Sequence, residues 1–278
     1  MAVGTAKLDE LRVSRELLRN LVGKELKVRY KGSALGFLWS LVTPLLLTGV
    51  FTVVFSTFLK IPLGAGDFAT FFLSGYLVWQ FFSNSVNASV TAIVGNGALI
   101  KKVWFRREVL PLSLVLSQGV HFGLALLATS PLFLVKRGFH PELLPAVILG
   151  FILLLAFTAG MSMLFAAANV GFRDLQELTQ VIFLAWFYLT PVIYPFFFVE
   201  AAGSARRFLP LLYANPMTWF VELFHRILYG TAVAEGPNPG PAWPEGRTWL
   251  VCTAWAIGAL AIGSQLFRRL AVSFAKEV

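Results

Sequence analysis

Cysteine is all but absent from this 278-residue chain: Cys252 stands alone, which excludes an intramolecular disulfide and a thiolate metal cluster. Histidine is scarce as well, and His121, His140 and His225 fall in no metal-ligand spacing, so no bound metal is expected. There is no GxSxG nucleophile elbow and no HExxH pair. The one Gly-Lys pair, Gly23-Lys24, is followed by Glu25 and lacks the upstream glycine of a phosphate-cradling loop, so the chain has no visible means of hydrolysing ATP by itself. Charge is thin too, at 13% of residues against about 25% in globular proteins. None of the familiar catalytic constellations is visible, and no cofactor is expected on this chain.

What the chain does have is apolar sequence, 57% of it. A bilayer core about 30 Å thick needs about 20 apolar residues per helix. Six windows qualify: 34–58, 68–94, 109–135, 143–168, 178–199 and 248–267. They are continuous runs, unlike the short alternating segments of a membrane barrel. The fold expected is thus an all-α integral membrane protein with a cytoplasmic segment over 1–33 and one six-span domain over 34–278.

Lys and Arg set the orientation. With the N-terminus inside, the cytoplasmic segments hold sixteen of the 23 basic residues, eight of them before residue 34 and four between 95 and 110. Both termini are then cytoplasmic. The net charge of +9 follows from topology and implies no nucleic acid. A long charged stretch precedes the first apolar run, so the first span itself is expected to direct insertion.

Within residues 8–31, Leu11, Leu18, Leu21, Val22 and Leu26 share a broad helical face, with basic residues around the rest. This predicts an amphipathic helix on the inner membrane surface, against lipid headgroups or a partner. Gly32, Gly36 and Ser40 then give the small-residue spacing of close helix contacts, and Pro44 predicts a kink. In the second window Gln80, Asn84, Asn87 and Thr91 fall on one stripe, which must face protein or water. His121 sits beside Gln118 in the third window, with no intramembrane carboxylate to form a proton relay, so it reads as a packing histidine.

The most distinctive segment is the basic, aromatic insert at 95–110, between two apolar runs, with Lys101, Lys102, Val103, Trp104, Phe105, Arg106, Arg107 and Glu108 at its centre. On the other side of the membrane, Thr190-Pro191-Val192-Ile193-Tyr194-Pro195 interrupts the fifth window. Asn215 and Pro216 then read as the N-cap and first residue of a helix ended by Gly230. That helix would be about 21 Å long and carries Glu222, His225 and Arg226, too short and too charged to span. Residues 190–230 are therefore expected to form an outer gate with short re-entrant helices.

The ordered motifs RYKGSALGFLWSLVTPLLL (29–47), KKVWFRREVLPLS (101–113), NVGFRDL (169–175), TPVIYP (190–195) and ANPMTWFVELFHRILYG (214–230) cover nearly the whole chain. In that order they resemble the permease subunit of polysaccharide ATP-binding-cassette exporters of the O-antigen, teichoic acid and capsule type. The resemblance implies two copies of the chain, with two separate ATPase subunits that hold the ATP and Mg, in the bacterial inner membrane. Lys101 to Glu108 would be the helix inserted into an ATPase groove, with Trp104 and Phe105 as anchors. A channel for a lipid-linked polysaccharide would be lined by Phe51, Phe55, Trp186, Tyr188 and Tyr194. Lys24, Lys27, Arg29 and Lys31 would receive the diphosphate of the lipid carrier, and Pro191, Pro195, Asn215, Pro216, Glu222 and Arg226 would belong to the outer gate. Alternatives are a teichoic acid or capsule cargo, a drug or small-lipid cargo, and a membrane-embedded transferase using Glu200, Glu222 and His225.

Overall fold

A computed structural model describes residues 2–30, 39–60, 67–102, 105–201, 203, 205–232, 239–271 and 274. Among them every regular element is a helix: α1 (Ala2–Tyr30), α2 (Trp39–Thr52), α3 (Phe68–Val90), α4 (Gly97–Lys102), α5 (Val109–Arg137), α6 (Leu144–Gly171), α7 (Leu175–Tyr188), α8 (Phe196–Ala201), α9 (Leu209–Ala214), α10 (Pro216–Leu228) and α11 (Gly246–Leu270). Short 3₁₀ turns precede α4, α6 and α9.

Three of the six apolar windows form helices that are by themselves long and apolar enough to cross a membrane, at Val109–Arg137, Pro141–Gly171 and Gly246–Leu270. The other three windows give no such helix by themselves among the described residues, for separate reasons. In the first window the described helix runs from Trp39 through Phe58, residues 34–38 lying outside the described residues. It contains Pro44, whose missing N–H opens the helix, and it widens into a π-helix over Val53–Phe58. The second window does become a 23-residue helix, α3, but its amide stripe dilutes its apolar character. The fifth window, 178–199, is not one helix: α7 ends at Tyr188, Thr190 and Pro191 turn the chain, and α8 begins at Phe196. Fourteen residues of α7 rise only about 21 Å.

The main core joins α3, α5, α6, α10 and α11 around aromatic rings. Phe72, Phe82, Phe157, Phe220 and Phe224 are fully buried. Phe82 stacks on Phe157 at 5.5 Å and Phe157 meets Phe220 at 5.0 Å, pairs worth about 0.5–1.5 kcal/mol each beyond their buried area. Contact between α6 and α11 is at backbone level, because Gly160 and Gly263 face each other and a Cβ on either would overlap the neighbouring main chain. The outer face of α11 leaves Leu250, Ile257 and Ile262 exposed, an apolar surface suited to hydrocarbon or a partner.

A second, smaller core lies at the end of the molecule that carries the basic insert. Ile93, Ile100, Phe105, Leu110, Met163, Ala166 and Phe267 form it, together with Phe274. Leu17 and Leu21 of α1 pack against it. Along α1, Leu18, Val22 and Leu26 are half-buried while Arg15, Arg19, Lys24 and Lys27 are exposed, the two-sided helix that the sequence pattern predicts. The expected small-residue contact at Gly32 and Gly36 lies outside the described residues.

Candidate functional site

Side chains of α2, α3, α5 and α7 enclose a cleft of about 750 Å³. Phe51 comes from α2, and α3 contributes Tyr76, Trp79 and the amides Gln80, Asn84 and Asn87. From α5 come Gln118, His121 and Phe122, and from α7 Gln180, Phe183, Phe187 and Tyr188. The stripe on α3 forms one wall because its spacing of four and three residues keeps three amides on one helical face. All three are half-buried. His121 is buried in the same lining, beside Gln118. Amides can donate and accept, and the rings offer flat apolar faces, so the cleft can take a ligand that is amphipathic on the scale of single residues.

Of the five aromatics assigned to a channel, Phe51 and Tyr188 reach this cleft. Phe55 instead stacks on Phe68 at 5.2 Å with parallel planes. Trp186 donates its Nε1–H to Asn215 Oδ1 at 2.8 Å, and the Tyr194 hydroxyl donates to the Tyr188 carbonyl at 3.2 Å. Beside them lie Gln80, Asn84 and Asn87, which their helical spacing in the sequence marks as one stripe, and Trp79 and Gln118, which that spacing does not reach.

At one end of the molecule the basic insert folds back on the protein. The turn between α4 and α5 is held by Glu108, whose carboxylate takes Arg106 Nη2 at 2.8 Å on one oxygen and Arg268 Nε at 2.6 Å on the other. Arg107 donates to the Ala271 carbonyl. Phe105, assigned from sequence as an anchor for another subunit, is turned inward and 7% exposed, against the second core with Phe267 and Phe274. Its removal from water within this chain accounts for that placement. Lys101 and Lys102 are exposed. Val103 and Trp104 lie outside the described residues. The basic positions on α1 divide similarly: Lys24 and Lys27 are exposed beside Arg19 and Asn20 in a shallow groove, whereas Lys31 and the Arg29 side chain lie outside the described residues.

At the opposite end, Asn215 caps α10 as its sequence position predicts, accepting from Met217 N at 3.0 Å. The same amide donates to Thr190 Oγ1 at 3.0 Å and to the Leu189 carbonyl at 3.3 Å, which ties the cap to the end of α7. Pro191 is joined to α10 by His225. Its Nε2 lies 3.2 Å from the Pro191 carbonyl, which can only accept, so the ring donates there. On its other edge Nδ1 lies 2.7 Å from Ser74 Oγ, and the imidazole stacks on Phe71 at 4.3 Å. Sequence reasoning had placed His225 near the gate without seeing that it joins α3, α10 and the proline break. Glu222 and Arg226 are half-buried on α10, Pro216 opens it, and Pro195 precedes α8. Between α5 and α6, His140 bonds Glu142 at 2.9 Å, which raises the histidine pKa above its ordinary value. Among the described residues no group of His, Cys, Asp and Glu is arranged to hold a metal ion.

The chain is 32% identical to the O-antigen export system permease protein RfbA of Myxococcus xanthus over 97% of this chain and 98% of that one. An RfbA permease of the same description from Klebsiella pneumoniae is 34% identical over 64% of this chain and 69% of its own length. The capsule polysaccharide export inner-membrane protein CtrC of Neisseria meningitidis is more distant, at 25% identity over 84% of this chain and 87% of its own. The sequence pattern of the ABC-2 type transporter family matches residues 16–229, the stretch that holds α3, the cleft, the basic insert and the capped helix α10, and this multi-pass membrane chain belongs to that family.

Proposed function

We propose that this chain is the channel-forming subunit of an ATP-driven exporter that moves a lipid-linked polysaccharide, O-antigen in kind, outward across the bacterial inner membrane. The observation that carries the reading is the cleft, in which Trp79, Phe183, Phe187 and Tyr188 flank a row of amides at Gln80, Asn84 and Asn87. Sugars present C–H faces to aromatic rings and hydroxyls to amides, so one surface serves a chain of repeating units without fixing on one of them. The kinship with export permeases named for O-antigen supports the same cargo. A capsule cargo is the second reading, supported by the more distant CtrC relatives.

In this reading two copies of the chain face each other across their clefts and two ATPase subunits supply nucleotide hydrolysis with ATP and Mg. The chain crosses the membrane six times with both termini cytoplasmic, α2, α3 and the α7 region adding to the three long apolar helices. Lys101, Lys102 and Trp104 meet the ATPase, with Arg106, Arg107 and Glu108 holding the turn behind them. Lys24, Lys27, Arg29 and Lys31 receive the diphosphate of the lipid carrier, since clustered cations on an amphipathic helix attract anionic headgroups. Pro191, Pro195 and helix α10 shape the outer exit.

The test is co-expression with the ATPase subunit from the same gene cluster. A complex of two and two that hydrolyses ATP and restores surface glycan in an export-null host is expected, and Lys101→Glu with Lys102→Glu should cut ATPase recovery about tenfold or more. A chain that purifies alone, with no ATPase retained or stimulated, would overturn the exporter reading.

A further inference from the structure

The C-terminal end of α10 gathers buried donors that no acceptor among the described residues satisfies. Arg137, the last residue of α5, lays its guanidinium over the Tyr229 ring, 4.0 Å from the centroid, yet its Nε and Nη2 are buried without a hydrogen-bond partner. Arg226, one turn before Tyr229, has its Nε in the same condition. Thr231 Oγ1, two residues beyond Tyr229, is also unpaired, as is Trp249 Nε1 in the first turn of α11, whose ring meets Trp243 at 5.9 Å next to Ala242, the donor to the Arg226 carbonyl. Three of these four side chains can only donate.

The nearby carboxylates do not meet the need. Glu142 is engaged by His140 at 2.9 Å. Glu222 acts on Arg226 electrostatically and feels Glu245 and Glu200 as well, but among the described residues none of these three carboxylates forms an ion pair within 4.0 Å. A buried donor left unpaired costs about 1–3 kcal/mol, and more when it is charged. Among the described residues nothing offsets that cost, which points to an acceptor from outside the chain. Two guanidinium groups favour the tetrahedral oxygens of a phosphate, and an indole N–H at a helix start is placed for a membrane interface.

We infer that Arg137, Arg226, Thr231 and Trp249 form a phosphate-ester site at the end of the molecule away from the basic insert. The phosphate belongs either to an anionic phospholipid headgroup or to the diphosphate of a lipid-linked cargo. The site stands independently of the polysaccharide assignment, because its headgroup arm needs no cargo.

The experiment is lipid titration of the purified full chain in nanodiscs of phosphatidylcholine, read by native mass spectrometry and by the thermal midpoint. Phosphatidylglycerol is one probe and undecaprenyl diphosphate the other. Saturable retention of either probe is expected, with the half-saturating concentration raised about tenfold in Arg137→Gln and about threefold in Trp249→Phe, which removes only the N–H. Arg206→Gln, an exposed arginine outside the cluster, should leave binding unchanged. Retention of phosphatidylglycerol assigns the headgroup source, and retention of undecaprenyl diphosphate alone assigns the cargo. Binding unaltered by both Arg137→Gln and Trp249→Phe, or weakened equally by Arg206→Gln, would overturn the site whatever the fate of the exporter reading.

Discussion

Glycines inside these helices differ in what a methyl group would strike, and that difference orders the effects of alanine. At Gly123 nothing lies within 4 Å, so Gly123→Ala should be neutral or slightly stabilising, since alanine is favoured in a helix by about 0.5–1 kcal/mol. At Gly150 the obstacle is Leu223 Cδ2 at 2.7 Å, the free end of a side chain that can turn away. Gly75 is worse, because the methyl would fall 2.8 Å from the ring of His225, which is fixed at both nitrogens by Ser74 and Pro191. Moving it costs hydrogen bonds as well as packing, so about 1–3 kcal/mol is expected. Gly160→Ala meets the backbone of Ala259 and Leu260, which cannot yield without parting α6 from α11. Thermal midpoints in one detergent should therefore fall in the order Gly123→Ala, Gly150→Ala, Gly75→Ala, Gly160→Ala. A Gly160 variant as stable as the parent would mean that the two helices do not touch at backbone level.

At the scale of elements, the turn between α4 and α5 is bound to the end of α11 through Glu108, so a push on the basic insert reaches α11 and, through the Gly160 contact, α6. Glu108 has one arginine on each carboxylate oxygen; its own side chain is 14% exposed while that of Arg268 is 64% exposed, so the carboxylate is shielded but its outer partner is screened by solvent. Glu108→Gln should leave basal ATP turnover of the complex intact while lowering glycan exported per ATP several-fold, and Arg268→Gln should do the same. Because both variants break the same Glu108–Arg268 pair, the double variant should be no worse than Glu108→Gln alone, and additive losses would count against the link. This linkage could not be read from the sequence. The insert was legible as a basic interruption, but whether Phe105 faces out or in depends on Phe267 and Phe274, which arrive only at the far end of the chain. The Asn215–Pro216 cap was legible because a helix start is written in adjacent residues. His225 was not, since Ser74 is 151 positions away. Likewise the six apolar windows gave the membrane class, while the proline break at 190–195 decided that α7 stops after 14 residues.

For the whole molecule, the deciding question is whether the amide stripe of α3 serves transport or merely joins helices. Gln80, Asn84 and Asn87 are half-buried and line the cleft, while the opposite face of α3 carries the fully buried Phe72, Phe82 and Val86 of the core. A stripe that only joined helices would lose about 0.6 kcal/mol for each amide removed, the average value of a hydrogen bond between membrane helices. Asn84→Leu with Asn87→Leu would then lower the thermal midpoint and leave the surviving protein fully active. A stripe that contacts a moving glycan behaves in the opposite way. Leucine fills nearly the same volume and suits an apolar surrounding, so stability and ATPase assembly should be kept, while surface glycan should fall about tenfold or more because sugar hydroxyls entering the cleft would lose their partners and stay desolvated. Measuring glycan export against the thermal midpoint in the same double variant separates the two roles, and a loss of stability with normal export would assign the stripe to packing and leave the aromatic rings alone to guide the cargo.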